Sequence, residues 1–147
     1  LTILSPLKEA DHNHSIETGE QPMSNYTAKN INDMEAAFGG GFVKARAELG
    51  VTSFGMQVIR MPADYGDYPE HDHEQDGQEE VYLGLKGSGW IDIDGERIDL
   101  APDTFVRVAG GVKRKVHAGS EGLQMLVIGG CPGKAYEVSE MTELTAA

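Results

Sequence analysis

Apolar and polar positions alternate over short runs along the chain, and turn residues separate one run from the next. Thr52–Met61 is rich in β-branched and apolar side chains and ends at Pro62, which predicts a strand. Val81, Leu83 and Leu85 alternate with Glu80, Tyr82, Gly84 and Lys86 before Gly87-Ser88-Gly89 leads into Trp90–Asp94, a pattern that predicts a hairpin. Asp94-Gly95 predicts a second hairpin into a short run holding Ile98 and Leu100, and Pro102-Asp103 predicts a turn before Thr104–Val108. Gly110-Gly111 turns the chain into Val112–His117, and Ser120-Glu121-Gly122 turns it again into Leu123–Ile128. Short strands about 8–12 residues apart, with turn chemistry between them, predict an all-β antiparallel sandwich or barrel over residues 40–130.

The flanking segments are less regular. Ile31–Phe38 predicts a short helix, capped by Asn30 or Asn32 and stopped by Gly39, Gly40 and Gly41. Val43, Ala45, Ala47 and Leu49 alternate with Lys44, Arg46 and Glu48, which predicts a strand, although the Ala, Glu and Lys content suits a helix as well. Residues 1–22 carry no pattern and precede the first methionine, Met23; they read as a tag remnant or disordered arm, and 23–147 as a single domain. His12 and His14 in that segment have no following carboxylate at a strand-compatible distance. The segment after Gly129-Gly130-Cys131-Pro132 reads as an arm packed on the outside.

A chain of 147 residues can bury a core without staples. Its one cysteine, Cys131, rules out an internal disulfide and a cysteine-rich zinc site, which points to a reducing compartment such as the cytoplasm. A formal net charge of −12 argues against nucleic acid or an anionic membrane as partner. Unpaired edges at the strands near Val43 and Trp90 predict a homodimer.

The chemistry concentrates in HDHEQDGQEEVYLGLKG, residues 71–87. On an extended chain His71 and His73 point to one side, and Glu80 opens the next strand on the parity of Tyr82 rather than that of Val81 and Leu83. Two imidazoles and one carboxylate converging in a barrel make a set that leaves open positions on a divalent metal. Glu79 is the alternative ligand if the intervening loop shifts the parity. Asp72, Glu74 and Asp76 read as a solvated loop. Arg114 shares a face with Val112 and Val116 and so points inward, while His117 points outward and is not a ligand.

The His71-x-His73 pair, the short loop, Glu80 and the spacing to Gly87 resemble the first motif of the cupin superfamily, over about residues 50–130. That resemblance implies a small, often dimeric, double-stranded β-helix barrel, jelly-roll-like, that commonly binds Fe, Mn, Ni or Zn. The superfamily includes oxygenases and isomerases as well as proteins without catalysis, so fold does not choose among them. The second motif departs from the pattern. Aligned on Gly111, it places Arg114 where cupins keep a third histidine, and a guanidinium has no lone pair for a metal. An inward Arg114 needs a partner, either Glu79 or Glu80 or a bound anion. The sequence therefore supports a metal pocket of His71, His73 and Glu80 that takes a small anionic molecule held by Arg114 and Tyr82. The alternative is a metal-free small-molecule binding barrel.

Overall fold

The computed structural model describes residues 24–147. The arm expected over residues 1–22, with His12 and His14, lies outside the described residues. Among the described residues seven antiparallel strands carry the fold: β1 Ala36–Ala37, β2 Phe42–Val43, β3 Gly55–Met61, β4 Glu79–Ile93, β5 Glu96–Asp99, β6 Phe105–Val108 and β7 Arg114–Gly130. They are ordered β1-β2-β3-β7-β4-β5, with β6 on β4. The all-β antiparallel architecture expected from the strand spacing is what the chain forms.

Two expected turns do not reverse the chain. Gly87-Ser88-Gly89 lies inside β4, and Ser120-Glu121-Gly122 lies inside β7. Both long strands instead bend. The β4–β7 register is irregular between Gly84 and Lys86, and it shifts between Gly87 and Gly89, where the partner moves from Leu123 to Ala118. Gly87 and Gly122, at φ +83° and +72°, take the left-handed backbone that the bend needs. A Cβ on Gly87 would stand 2.0 Å from the Gly122 carbonyl oxygen, so the two backbones touch where the strands fold over.

The bend divides each long strand between two layers. The first half of β4 pairs with the end of β7, β3 pairs with that same stretch of β7, and β6 joins β4. The second half of β4 pairs with the start of β7 and with β5. Ile59 and Met61 of β3, Tyr82 and Ile91 of β4, Val116 and Met125 of β7 and Val106 of β6 form one buried cluster drawn from both layers. Alternation supplies these side chains: at the start of β7, Arg114, Val116 and Ala118 are buried while Lys115 and His117 between them are not.

Two N-terminal expectations need correction. Only Ile31–Asp33, a 3₁₀ turn whose Asn32 amide donates to the Asn30 side chain at 2.9 Å, and a second 3₁₀ turn that begins at Phe38 and runs to Gly40 are helical. Between them Ala36 and Ala37 pair with Val43 and Phe42, so sheet pairing overrides helix propensity. The strand expected over 43–49 stops at Val43, and Ala45–Leu49 forms α1, closed by Gly50 at φ +73°. The helix-forming residues decide there, and Gly50 provides the left-handed cap.

The C-terminal arm returns to this region. Arg46, buried in α1, donates to Glu143 at 2.6 Å, and Glu35 accepts from Lys44 at 2.6 Å and from the Thr145 hydroxyl at 2.7 Å. Hydrogen bonds from Lys44 and then Thr145 pull the Glu35 carboxyl down to about 2. No helix among the described residues is long and apolar enough to cross a membrane.

A paired substitution tests the packing at the bend. A Cβ on Gly84 would meet the Ala101 carbonyl oxygen at 2.1 Å, whereas one on Gly111 meets nothing within 4 Å. Gly84→Ala should lower the unfolding free energy by about 2–4 kcal/mol, and Gly111→Ala should leave it within about 0.5 kcal/mol or raise it, both read by denaturant titration.

Candidate metal and ligand site

His71 and His73 lie on an extended segment rather than on a full strand, yet they keep the period of two. The His71 amide donates to the Arg114 carbonyl at 3.0 Å, the Arg114 amide returns to His71 at 2.9 Å, and the His73 amide donates to Gly110 at 2.7 Å. This pairing lays the segment beside the start of β7. The chain then turns through Glu74–Asp76, with Gly77 at φ +70° donating back to the His73 carbonyl at 2.8 Å, and enters β4 at Glu79.

The three expected donors converge. His71 Nε2 lies 3.5 Å from Glu80 Oε2, and His73 Nε2 lies 3.4 Å from Glu80 Oε1. One ligand atom from each residue falls within 4.8 Å of the others. Both Nδ1 atoms are engaged on the far side: His71 Nδ1 is 3.1 Å from the Pro69 carbonyl, and His73 Nδ1 is 3.1 Å from both oxygens of Asp76. A carbonyl can only accept, so His71 carries a proton on Nδ1, and the carboxylate of Asp76 favours a proton on Nδ1 of His73. Each ring is thereby turned with Nε2 toward the site. The partners behind the rings suit a metal centre, because a ligating histidine commonly donates its other nitrogen to a carboxylate or carbonyl.

Glu80 is held from several directions. The Tyr82 hydroxyl donates to Oε2 at 2.5 Å, and Arg114 Nε stands 3.5 Å from the same oxygen. Burial pushes the Glu80 carboxyl up, but the hydrogen bonds from His71, His73 and Tyr82 outweigh it and hold the group well below the usual carboxylate range. The bond to Glu80 raises His73 against the opposing effect of burial. Burial, and next the charge of Glu80, push the Tyr82 phenol far up, so it stays a donor.

Arg114 is fully buried. Its Nη1 donates to the Val112 carbonyl at 2.9 Å and its Nη2 to the Ala109 carbonyl at 3.4 Å, while Nε has no hydrogen-bond partner. Of the two partners open to it in the sequence, Glu80 is the one it faces. Glu79 turns outward and pairs with Arg107 at 2.7 Å. His117 stacks on Trp90 with ring centroids 4.9 Å apart and lies 2.9 Å from Asp92, away from the site.

The donors open into a cavity of about 1110 Å³. His71, His73 and Glu80 line it, together with Gln57, Ile59 and Met61 of β3, residues before His71, and Tyr136 and Met141 of the C-terminal arm. The arm therefore forms wall rather than mere outer packing. Arg114 and Tyr82 are not among the lining residues; both stand behind Glu80.

Two contributors escape the sequence pattern. Tyr68 lines the cavity with its ring centroid 6.2 Å from that of His71, and burial, then the charge of Glu80, raises its phenol to about 12. It lies in an irregular segment, where no periodicity assigns a face. Asp76, expected in a solvated loop, is exposed but orients His73. The His-x-x-Asp spacing before a glycine was the available signal, since a tight turn brings those residues together.

No protein-family model and no curated protein sequence matches the chain. Solved structures do. A cupin protein from Bacteroides fragilis matches at 28% identity and TM-score 0.64, covering 85% of this chain and 99% of its own. A sugar phosphate isomerase from a cupin superfamily, from Silicibacter pomeroyi, matches at 15% identity and TM-score 0.60, over 71% of this chain and 75% of that one. KdgF from a Halomonas species matches at 13% identity and TM-score 0.52, over 66% and 84%.

The electrostatics of these side chains set a pH dependence. Glu80 titrates below its ordinary value of 4.5 in the fold, so its stabilisation is present above that value and is lost as pH falls. His73 titrates above its ordinary 6.5, so its stabilisation is present below that value and is lost as pH rises through the folded pKa. Their joint contribution is greatest between those two values. Glu80→Gln should cost about 3 kcal/mol there, because Arg114 loses its partner, and should flatten the dependence on both sides. Melting temperatures of metal-stripped protein across about pH 2–8 would check this, since the Glu80 contribution is lost only below its unfolded value.

Proposed function

Taking the chain as a cupin-fold protein, we propose that its cavity binds a small organic molecule beside a divalent transition metal held by His71, His73 and Glu80. The observation that carries this reading is the orientation of the imidazoles: both Nδ1 atoms are occupied, and both Nε2 atoms face one carboxylate. A divalent cation placed among the same atoms would meet both Nε2 lone pairs and the carboxylate. Three ligands would leave positions open for a substrate oxygen or for dioxygen, which suits isomerase-type Lewis-acid chemistry or oxygenase chemistry, with Fe, Mn, Ni or Zn as the ion.

The chain's own residues then have distinct tasks. Tyr82 and Arg114 keep Glu80 ionised and fixed. Pro69 and Asp76 fix the rings. Tyr68, protonated at neutral pH, offers a donor at the cavity wall close to His71. This differs from direct substrate contact by Arg114 and Tyr82, which their burial behind Glu80 does not favour. Nor does it favour the anionic ligand expected with Arg114, whose Nη atoms are already bonded to carbonyls. A phosphorylated sugar, such as the name of the Silicibacter pomeroyi protein suggests for that enzyme, would find no open guanidinium fork at this position.

A second reading has one specific observation behind it. Arg114 already neutralises Glu80, so the pocket is stable without an ion and serves as a metal-free binding barrel. Elemental analysis of untagged protein, before and after stripping and reloading, separates the two. Metal at one equivalent, lost in His71→Ala, supports the first; none after reloading supports the second. Asp76→Asn should weaken metal binding by about 10–100-fold while leaving the fold intact.

Arg114 permits a sharper test. Its Nε and the Nε2 of a histidine stand the same number of bonds from Cα, and Arg114 Nε is 3.5 Å from Glu80 Oε2, as His71 Nε2 is. Arg114→His should therefore add a donor, remove a positive charge and tighten metal binding by at least about tenfold, roughly 1.4 kcal/mol. Arg114→Ala should destabilise the fold without that gain. Titration of the ion into each stripped protein reads the difference, and an Arg114→His affinity no better than wild type overturns the assignment of Arg114 to the vacant ligand position.

A further inference from the structure

Residues 134–147 hold their place without joining the sheet. Among the described residues their backbone-to-backbone hydrogen bonds are all local, from the Lys134 amide to Cys131, from Thr142 to Ser139 and from Glu143 to Glu140. The segment nevertheless lines the cavity with Tyr136, Glu137, Ser139, Met141 and Thr142. A wall whose backbone is not bonded to the barrel can leave it without breaking a strand ladder, and such local opening costs much less than unfolding. The preceding Gly129-Gly130-Cys131-Pro132-Gly133, with Gly133 at φ +71°, supplies a hinge.

Two sets of side-chain contacts hold the segment down. At its end Glu143 accepts from the buried Arg46 at 2.6 Å, and Glu35 accepts from the Thr145 amide at 3.0 Å and from its hydroxyl at 2.7 Å. At its start Tyr136 rests on Gly55. A Cβ on Gly55 would stand 2.9 Å from the phenol oxygen and 3.2 Å from two ring carbons, and these are its three nearest atoms. Gly55 shares the cavity-facing parity of Gln57 and Ile59; it pairs with Gly129, and Gly129 pairs with Glu80. Cross-strand partners share a face, so the three positions form one row. The Gln78 side-chain oxygen lies where a Gly129 side chain would start, 2.0 Å from its Cβ. Neither Gly55 nor Gly129 has a positive φ, so what glycine provides there is space. Together they leave a notch in the row of Glu80, and Tyr136 fills the end of it.

We propose that residues 134–147 form a strap over this row, seated by Tyr136 on Gly55 and latched by Arg46–Glu143 and Glu35–Thr145, and that its release admits a ligand to His71, His73 and Glu80. This rests on the reading of the cavity as a small-molecule site, but not on the metal.

The two attachments can be broken from opposite ends in the full chain. Gly55→Ala sets a methyl group against Tyr136 rather than against the barrel, and Glu35→Gln combined with Glu143→Gln weakens the latch. Glu140→Gln, at an exposed position of the same segment, is the control. Hydrogen exchange of the Thr142, Glu143 and Thr145 amides reads the strap, and exchange in β4 and β7 reads the barrel. Acylation of His71 and His73 by diethyl pyrocarbonate in metal-stripped protein, resolved by peptide mass spectrometry, reads access, with His117 as the reference outside the site. In Gly55→Ala and in the double latch variant the three strap amides should exchange at least about tenfold faster, with β4 and β7 unchanged, and the two cavity histidines should react about threefold faster relative to His117. Glu140→Gln should match wild type. Failure of either variant to quicken the strap, equal quickening of strap and barrel, a faster strap with unchanged histidine rates, or an equal effect of Glu140→Gln overturns the proposal. No ligand or metal enters these measurements, so their failure leaves the reading of the cavity as a binding site intact, and a chain that binds nothing can still show the strap.

Discussion

A carboxylate taken out of water must be matched, and at Glu80 the match organises the surrounding structure. Arg114 supplies the opposing charge, Tyr82 a short hydrogen bond, and two imidazoles meet one oxygen each. The attraction is weaker than a bidentate pair, since Arg114 Nε stands at 3.5 Å and makes no hydrogen bond. What Arg114 lacks there it finds in the carbonyls of Val112 and Ala109, which tie the guanidinium to the turn before β7. The same turn accepts the His73 amide through Gly110. The ion pair, the turn and the histidine segment are consequently one assembly, and displacing any of them exposes a buried charge.

The bent strands bring that assembly together. Glu80 and Tyr82 lie in the first half of β4, whereas Arg114 begins β7 and pairs with Ile93 at the far end of β4. A straight β4–β7 ladder would hold Glu80 and Arg114 at opposite ends. Folding the ladder at Gly87 and Gly122 turns one half over the other and lets the two ends of the ladder meet across the interior, as the 80↔129 and 93↔114 pairings require. The close backbone approach at those glycines is thus part of the site's geometry, although the glycines lie outside the site itself.

This explains what the sequence could and could not disclose. Parity is local, so it placed Glu80 rather than Glu79 inward, set His71 beside His73, turned Arg114 in and His117 out. Whether a glycine pair reverses a strand or only bends it depends on what the next segment pairs with, and that is a tertiary fact; both bends were therefore expected as turns. The same reasoning accounts for 43–49, where alternation and helix propensity pointed in different directions and α1, packed on β3, formed after only two residues of strand. Tyr68, Gln57 and Tyr136 escaped for another cause. They reach the cavity from an irregular segment, a strand of mixed burial and a terminal arm, and composition gives none of them a direction.

Charge balance limits what an ion held at the three donors could take. Glu80 is the one carboxylate among them, and the buried guanidinium of Arg114 already faces it. A divalent ion placed there would add positive charge that these groups do not balance, so its ligands at the open positions would have to be electron-rich. An arginine at position 114, unlike a histidine, therefore does more than withhold a nitrogen donor: it adds a fixed positive charge beside the other three.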